Sequence, residues 1–230
     1  MGQELREDTM QRKLLMAIAV VVLIISMGLT VFSVVGSTDF RPIRVACVGD
    51  SITQYSYYTN KLQTLLGVNY IVGNFGVAGS TVSHDSKIPY SNQTTFKNAI
   101  HSNPDIVLIM LGTNDANPEI AYSTETFEED YANLVTAFQD LPNKPHIVVV
   151  GSPPIFATAS TYNNTYLVNT IIPHTNNIAV QMNLSTVDMY SVFGEHADYF
   201  ADGVHPNDDG STLIASTMYD TVTSIQDCAV

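Results

Sequence analysis

Short apolar runs alternate with helix-like segments along most of this chain, and that alternation narrows the folds open to it. Ile43–Val48 and Asp105–Leu111 are nearly continuous apolar runs. Such runs suit strands covered on both faces, not strands with one wet face. Tyr70–Phe75, His146–Val150 and Ser185–Met189 bring the number of expected strands to five. Between them, Ser51–Leu66, Gln93–His101, Ser123–Asp140 and Pro173–Met182 read as helices, and Asp208–Ile225 as a last one. Gly67 stops the first helix, Ser123 is the expected N-cap of the third, and Pro173 suits a first helical turn. Asn207 caps the last, with Asp208 and Asp209 favourable to its dipole. Strands alternating with helices predict a parallel sheet with helices on both faces. In such sheets a functional site forms outside the carboxyl ends of the strands.

The length of 230 residues leaves room for one domain whose core needs no disulfide scaffold. No internal repeat, low-complexity tract or second domain is evident. Leu14–Val35 is uncharged over 22 residues, longer than the core of an ordinary cleavable signal. It is expected to be an uncleaved transmembrane signal anchor, with a signal peptide as the alternative. Arg12 and Lys13 abut its start, which points to a cytoplasmic N-terminus. The organisation expected is a cytoplasmic tail at 1–13, an anchor at 14–35, a linker at 36–42 and a catalytic domain at 43–230. Sequons at Asn92, Asn163 and Asn183 agree with an exocytoplasmic or secreted domain.

The net charge of −13 lies entirely beyond the N-terminal segment, where six basic residues face nineteen acidic ones. With no basic stripe, neither nucleic acid nor an anionic lipid surface is an expected partner of the folded domain. Any membrane contact is expected through the N-terminal helix alone. Cys47 falls inside the first strand and Cys228 near the C-terminus, so a buried apolar thiol and a loose terminal one are expected rather than a disulfide. No Cys/His spacing suggests a zinc site, and no metal or cofactor is expected.

Four groups of residues fall at the predicted element boundaries. Gly49-Asp50-Ser51 ends the first strand and delivers a serine to a helix N-terminus, where free backbone N–H groups can hold a developing oxyanion. Asn74–Gly79 follows the second strand, with Gly76 and Gly79 spaced to let the backbone pass close to something. Gly112-Thr113-Asn114-Asp115 follows the third, and an Asn amide there can donate to an oxyanion. Asp202-Gly203-Val204-His205-Pro206 precedes the last helix, and an Asp three residues before a His can fix its tautomer. A nucleophile, oxyanion donors and an Asp–His base are the parts that serine acyl transfer needs. His84, His101, His146, His174 and His196 compete for the base, His84 most directly because it follows the second strand. Asp50 is expected to hold its turn, since a sequence neighbour of Ser51 is poorly placed to reach the imidazole.

Together these blocks resemble the SGNH hydrolases of the GDSL esterase/lipase superfamily, over about residues 43–225. The stretch from Gly49 to Gly79 is most similar to the small carbohydrate-esterase-type members. The resemblance implies a flavodoxin-like three-layer domain around five parallel strands. It also implies Ser51 as nucleophile, His205 as base, Asp202 as its orienting acid, and an oxyanion hole of Ser51, Gly79 and Asn114. The activity implied is hydrolysis of carboxylic esters without a metal, here by way of an acyl-enzyme on Ser51 and with a short-chain acyl group on a glycan as the expected substrate. O-acyl transfer to a sugar hydroxyl and non-catalytic glycan binding on the same fold are the alternatives. The chain departs from the family pattern at Gln54-Tyr55, where many members have Gly, and at Ala78, where Ser is frequent. These departures bear on the substrate pocket, whose walls are expected from residues 82–92, 115–122 and 152–165.

Overall fold

The computed structural model describes residues 10, 12–13, 15–25, 41–121, 123–156 and 161–227. It divides into two compact units, Met1–Arg41 and Pro42–Val230. In the first, residues 15–25 are helical and exposed. Leu14 and residues 26–35 of the expected anchor lie outside the described residues. Among the described residues, no helix is long and apolar enough to cross a membrane.

The second unit is built on five parallel strands, β1 (Ile43–Gly49), β2 (Tyr70–Gly76), β3 (Ile106–Met110), β4 (His146–Val150) and β5 (Ser185–Val187), in the order β2-β1-β3-β4-β5. This is the flavodoxin-like order, in which the chain reverses direction across the sheet beside β1. Alternate residues of the central strands feed two separate cores. Val48, Val107, Ile109 and Val149 face one side, with α3 (Thr94–His101), α4 (Phe127–Gln139) and α5 (Ile172–Gln181). Cys47, Ile106, Leu108 and Val148 face the other, with α1 (Ser51–Tyr55), α2 (Tyr58–Leu66), α6 (Met189–Phe193) and α7 (Asp208–Asp227). Burial on both faces is what the continuous apolar runs demand, at about 1.5–3 kcal/mol for each large side chain buried. Cys47 belongs to this core; burial pushes its thiol up to about 12. Cys228 lies outside the described residues.

Three helices differ from their sequence-based limits. The single helix expected over Ser51–Leu66 is two, because Tyr57 adopts φ 61° and turns the chain between α1 and α2. The break lets Ile52 of α1 and the Tyr58, Leu62, Leu66 row of α2 all reach one core. The third helix begins at Phe127, not Ser123, because Thr124 is tied to Tyr166 by a 2.6 Å hydroxyl–hydroxyl bond that holds the preceding turn against another loop. The fourth begins about two and a half turns early, at Asn164. Asn163 caps a helical turn at Asn164–Tyr166, which widens into a π turn over Leu167–Ile171 before α5. Pro173 explains the widening. Its ring excludes the carbonyl four residues back, and a π turn moves that carbonyl away.

The carboxyl ends of three strands are level, with Gly49 of β1 in register with Gly76 of β2 and Met110 of β3. A side chain at Gly76 has no room, since a Cβ there would stand 2.3 Å from the Gln54 nitrogen and 2.8 Å from the Asp50 carbonyl. This close approach packs α1 against the end of β2. The asparagines of all three sequons are exposed.

Candidate active site

Asp50 forms the turn that delivers Ser51. It caps α1 by accepting the Ile52 N–H at 2.9 Å, while its own carbonyl takes the Gln54 N–H. Two amides of the first helical turn are therefore committed to Asp50. Burial pushes the Asp50 carboxyl up to about 7 against the opposing pull of the Ile52 amide and the His205 ring. It makes no hydrogen bond to the imidazole and serves the turn, as its position beside Ser51 implied.

Ser51 Oγ lies 2.9 Å from His205 Nε2, a bond spanning 154 residues of chain. On the far side of the ring, Nδ1 lies 2.7 Å from Asp202 Oδ2. Asp202 also accepts the backbone N–H groups of Val204 and His205 on Oδ1, at 2.9 and 2.7 Å, so carboxylate and imidazole are held in one tight turn. The turn is pinned from outside by the Phe156 N–H, which donates to the Gly203 carbonyl, and by the Ala201 N–H on the His205 carbonyl. Burial alone would raise the Asp202 carboxyl. The His205 N–H, the His205 ring and the Val204 N–H together outweigh it and hold the carboxyl at about 2.

Of the other five histidines, His101 lies exposed in the last turn of α3, and the remaining four are engaged elsewhere. His84, the nearest rival, faces Asp130 of α4 at 3.6 Å and Ser91 at 3.3 Å. His174 pairs with Glu128, His146 with Ser185 and His196 with Asp198.

Gly79 follows β2 in a turn closed by the Ser80 N–H on the Val77 carbonyl, and its φ of +76° is one that glycine adopts without strain. The loop is stitched to its neighbours twice. The Val77 N–H donates to the Gly49 carbonyl, and the Ala78 N–H to Gln54 Oε1 at 2.7 Å. Gln54, one of the departures noted above, thus ties the glycine loop to the helix that carries Ser51.

Asn114 follows β3 and is buried. Its Nδ2 donates to the Ser80 carbonyl at 2.9 Å, and its Oδ1 accepts from the Tyr162 hydroxyl at 2.8 Å. An amide nitrogen carries two hydrogens, so one remains for a ligand after Ser80 is satisfied. Asp115 holds the loop after β2 by accepting the Val82 and Ser83 N–H groups at 3.0 and 2.9 Å. Tyr162 has no counterpart among the sequence-based candidates. Its segment read as loop, and the signal available was only its place in 152–165, a stretch expected to line the pocket.

Ser51, Gly79 and Asn114 therefore follow three level strand ends, and His205 is brought to Ser51 from the turn before α7. A cavity of about 250 Å³ lies beyond Asn114, lined by Asp115, Ala116, Ala121, Thr124, Asn163 and Tyr166 among others, but by neither Ser51 nor His205. Five of its eight lining residues fall in two of the three loops expected to form the pocket, 115–122 and 152–165, while Ser123, Thr124 and Tyr166 lie just outside them. Among the described residues, no group of three or more His, Cys, Asp or Glu side chains is arranged to hold a metal ion.

A three-layer α/β domain with a serine–histidine–aspartate relay at the carboxyl edge of its sheet has the make-up of an acyl-transferring hydrolase. The model of the GDSL-like lipase/acylhydrolase family matches residues 47–213, and the chain belongs to that family. In an alignment of 203 positions it is 32% identical to an acetylxylan esterase of Xylanibacter ruminicola, and the match covers 76% of this chain and 42% of that protein. The chain thus matches less than half the length of this curated relative. Among solved structures, a carbohydrate acetylesterase from Sinorhizobium meliloti shares the fold with a TM-score of 0.67 at 20% identity, over 80% of this chain and 99% of the other. An acetyl xylan esterase does so with a TM-score of 0.65 at 21% identity, over 78% of this chain and 100% of the other.

Proposed function

We propose that the domain is a serine esterase that removes short acyl groups, acetyl above all, from a carbohydrate by way of an acyl-enzyme on Ser51. The observation that carries this reading is the unbroken relay from Ser51 Oγ through the His205 ring to Asp202, with both bonds under 3 Å. Ser51 Oγ attacks the acyl carbon as its proton passes to His205 Nε2. The carbonyl electrons move onto oxygen, which the Ser51 and Gly79 N–H groups and Asn114 Nδ2 receive. Collapse breaks the bond to the sugar oxygen, which leaves with the proton from His205. Water then attacks the acyl-serine with His205 as base, and the carboxylic acid departs as the Ser51 hydroxyl is restored. The arrangement is the serine-hydrolase one, recognised by geometry and roles.

The substrate class is supported from two sides. The relatives named above act, by their names, on acetylated carbohydrate. In this chain Tyr55 stands four residues after Ser51 on α1, hence on the same helix face, and is 58% exposed. A broad ring with a polar tip, open to solvent beside Ser51, suits the face of a sugar.

Two substrate sets test the reading. In an aryl ester series from acetate to decanoate, the acetate is expected to be hydrolysed fastest. On an acetylated xylan, Tyr55→Ala is expected to raise KM roughly three- to tenfold, with aryl acetate turnover changed by less than about twofold. Preference for decanoate would redirect the reading to lipid esters. Equal losses on both substrates would remove Tyr55 as a sugar contact.

A further inference from the structure

We propose that Tyr162 is a positioning residue for the oxyanion donor, its hydroxyl locking the Asn114 amide in one of two orientations and polarising it toward the reacting carbonyl. The inference rests on the esterase reading above and deepens it.

Asn114 is 1% exposed, so its surroundings decide which end of the amide points where. A side-chain amide has two donors on nitrogen and one acceptor oxygen, nearly equal in shape. The Ser80 carbonyl, 2.9 Å from Nδ2, can only accept. The Tyr162 hydroxyl, 2.8 Å from Oδ1, could in principle donate or accept. Its direction is set by the amide it meets: with Nδ2 committed to the Ser80 carbonyl, Oδ1 offers only lone pairs, so the hydroxyl donates and its proton points to Asn114. The chain of donors runs from Tyr162 to Asn114 Oδ1, and from Asn114 Nδ2 to Ser80. Flipping Asn114 would set two acceptor oxygens against each other at Ser80 and would forfeit the bond that the Tyr162 hydroxyl donates.

The second consequence is electronic. A hydrogen bond accepted at an amide oxygen draws charge from the nitrogen and strengthens its N–H donors, by about 10–30% per bond in a buried chain. The Nδ2 hydrogen left over from Ser80 is the one an oxyanion would receive. Burial, followed by the charge of Asp50, pushes the Tyr162 hydroxyl above the ordinary tyrosine range, and Asp202 acts in the same sense. The hydroxyl accordingly keeps its proton.

Tyr162→Phe removes the hydroxyl and keeps the ring. On a short aryl acetate with the full chain, kcat is expected to fall about tenfold with KM changed by less than about twofold, because the lost effect is felt only as the oxyanion forms. Affinity for a boronic acid that becomes tetrahedral on Ser51 is expected to fall by a similar factor. Asn114→Ala alone should cost on the order of 10²–10³. In that background Tyr162→Phe should add less than about twofold, since the hydroxyl has no amide left to act on. Wild-type kcat in Tyr162→Phe would overturn the assignment. So would equal losses with and without Asn114, or a Tyr162→Phe chain that does not fold. Turnover retained by Ser51→Ala would instead overturn the esterase reading itself, whereas an inactive Ser51→Ala beside an unimpaired Tyr162→Phe would sink only the role of Tyr162.

Discussion

Ser51→Ala is expected to lower kcat for an aryl acetate by on the order of 10⁶ and to leave the thermal midpoint unchanged. The substitution removes one oxygen from a side chain that is 8% exposed. Asp50 still caps α1 through the Ile52 N–H, and Asp202 still holds the His205 ring, so nothing that supports the fold is lost. What disappears is the group that attacks in the proposed mechanism. A residual rate of about 10³–10⁴ over water is expected, because the oxyanion donors and the binding surface remain. Cys47 cannot stand in as a nucleophile, being fully buried with its thiol pushed up to about 12. Initial rates and a burst experiment on the two purified chains decide the matter. Turnover within tenfold of the parent would remove Ser51 as nucleophile.

Asp202→Asn is expected to cost about 10⁴ in kcat, although it exchanges a single oxygen for an NH₂ group. The backbone N–H groups of Val204 and His205 both point at Oδ1 and keep an oxygen there. The new amide nitrogen therefore takes the place of Oδ2, facing His205 Nδ1 across 2.7 Å. An amide nitrogen donates, so Nδ1 must accept and the ring proton moves to Nε2. That nitrogen faces Ser51 Oγ and, once protonated, cannot take the serine proton. In the parent chain the Asp202 carboxyl lies at about 2, so it stays ionised at any pH where esterases are assayed. Its folded-state value lies below the unfolded value of about 4, so its share of stability is present above that pH and is lost as pH falls through about 2. With the side chain 56% exposed, water screens that share. The expected result is thus a large loss of kcat with a nearly unchanged unfolding midpoint at neutral pH. A kcat within tenfold of the parent would show that Asp202 does not set the tautomer.

These effects divide according to how far apart in the chain their causes lie. Asp202 meets His205 within one turn, three residues on, and Asp50 caps the helix that begins at the next residue. Both relations were readable from the residues. So was the sheet, because a strand buried on both faces writes a continuous apolar run into the sequence, as in Ile106–Met110. The limits of helices were less legible where long-range contacts overrode local preference. Thr124 is held back from α4 by Tyr166, 42 residues on, and Asn163-Asn164-Thr165 reads as loop yet starts a helix that a π turn carries past Pro173.

The sequence by itself determined the layered α/β class, the five strands and the residue types at their carboxyl ends, since burial periodicity, caps and turn glycines act over a few residues. Only the tertiary structure decided that His205, and not His84, reaches Ser51, and that Asn114 is oriented by Tyr162 across 48 residues. Such meetings depend on how whole helices and loops pack around the sheet, and a contact whose partners are dozens of residues apart leaves no periodic mark on either of them.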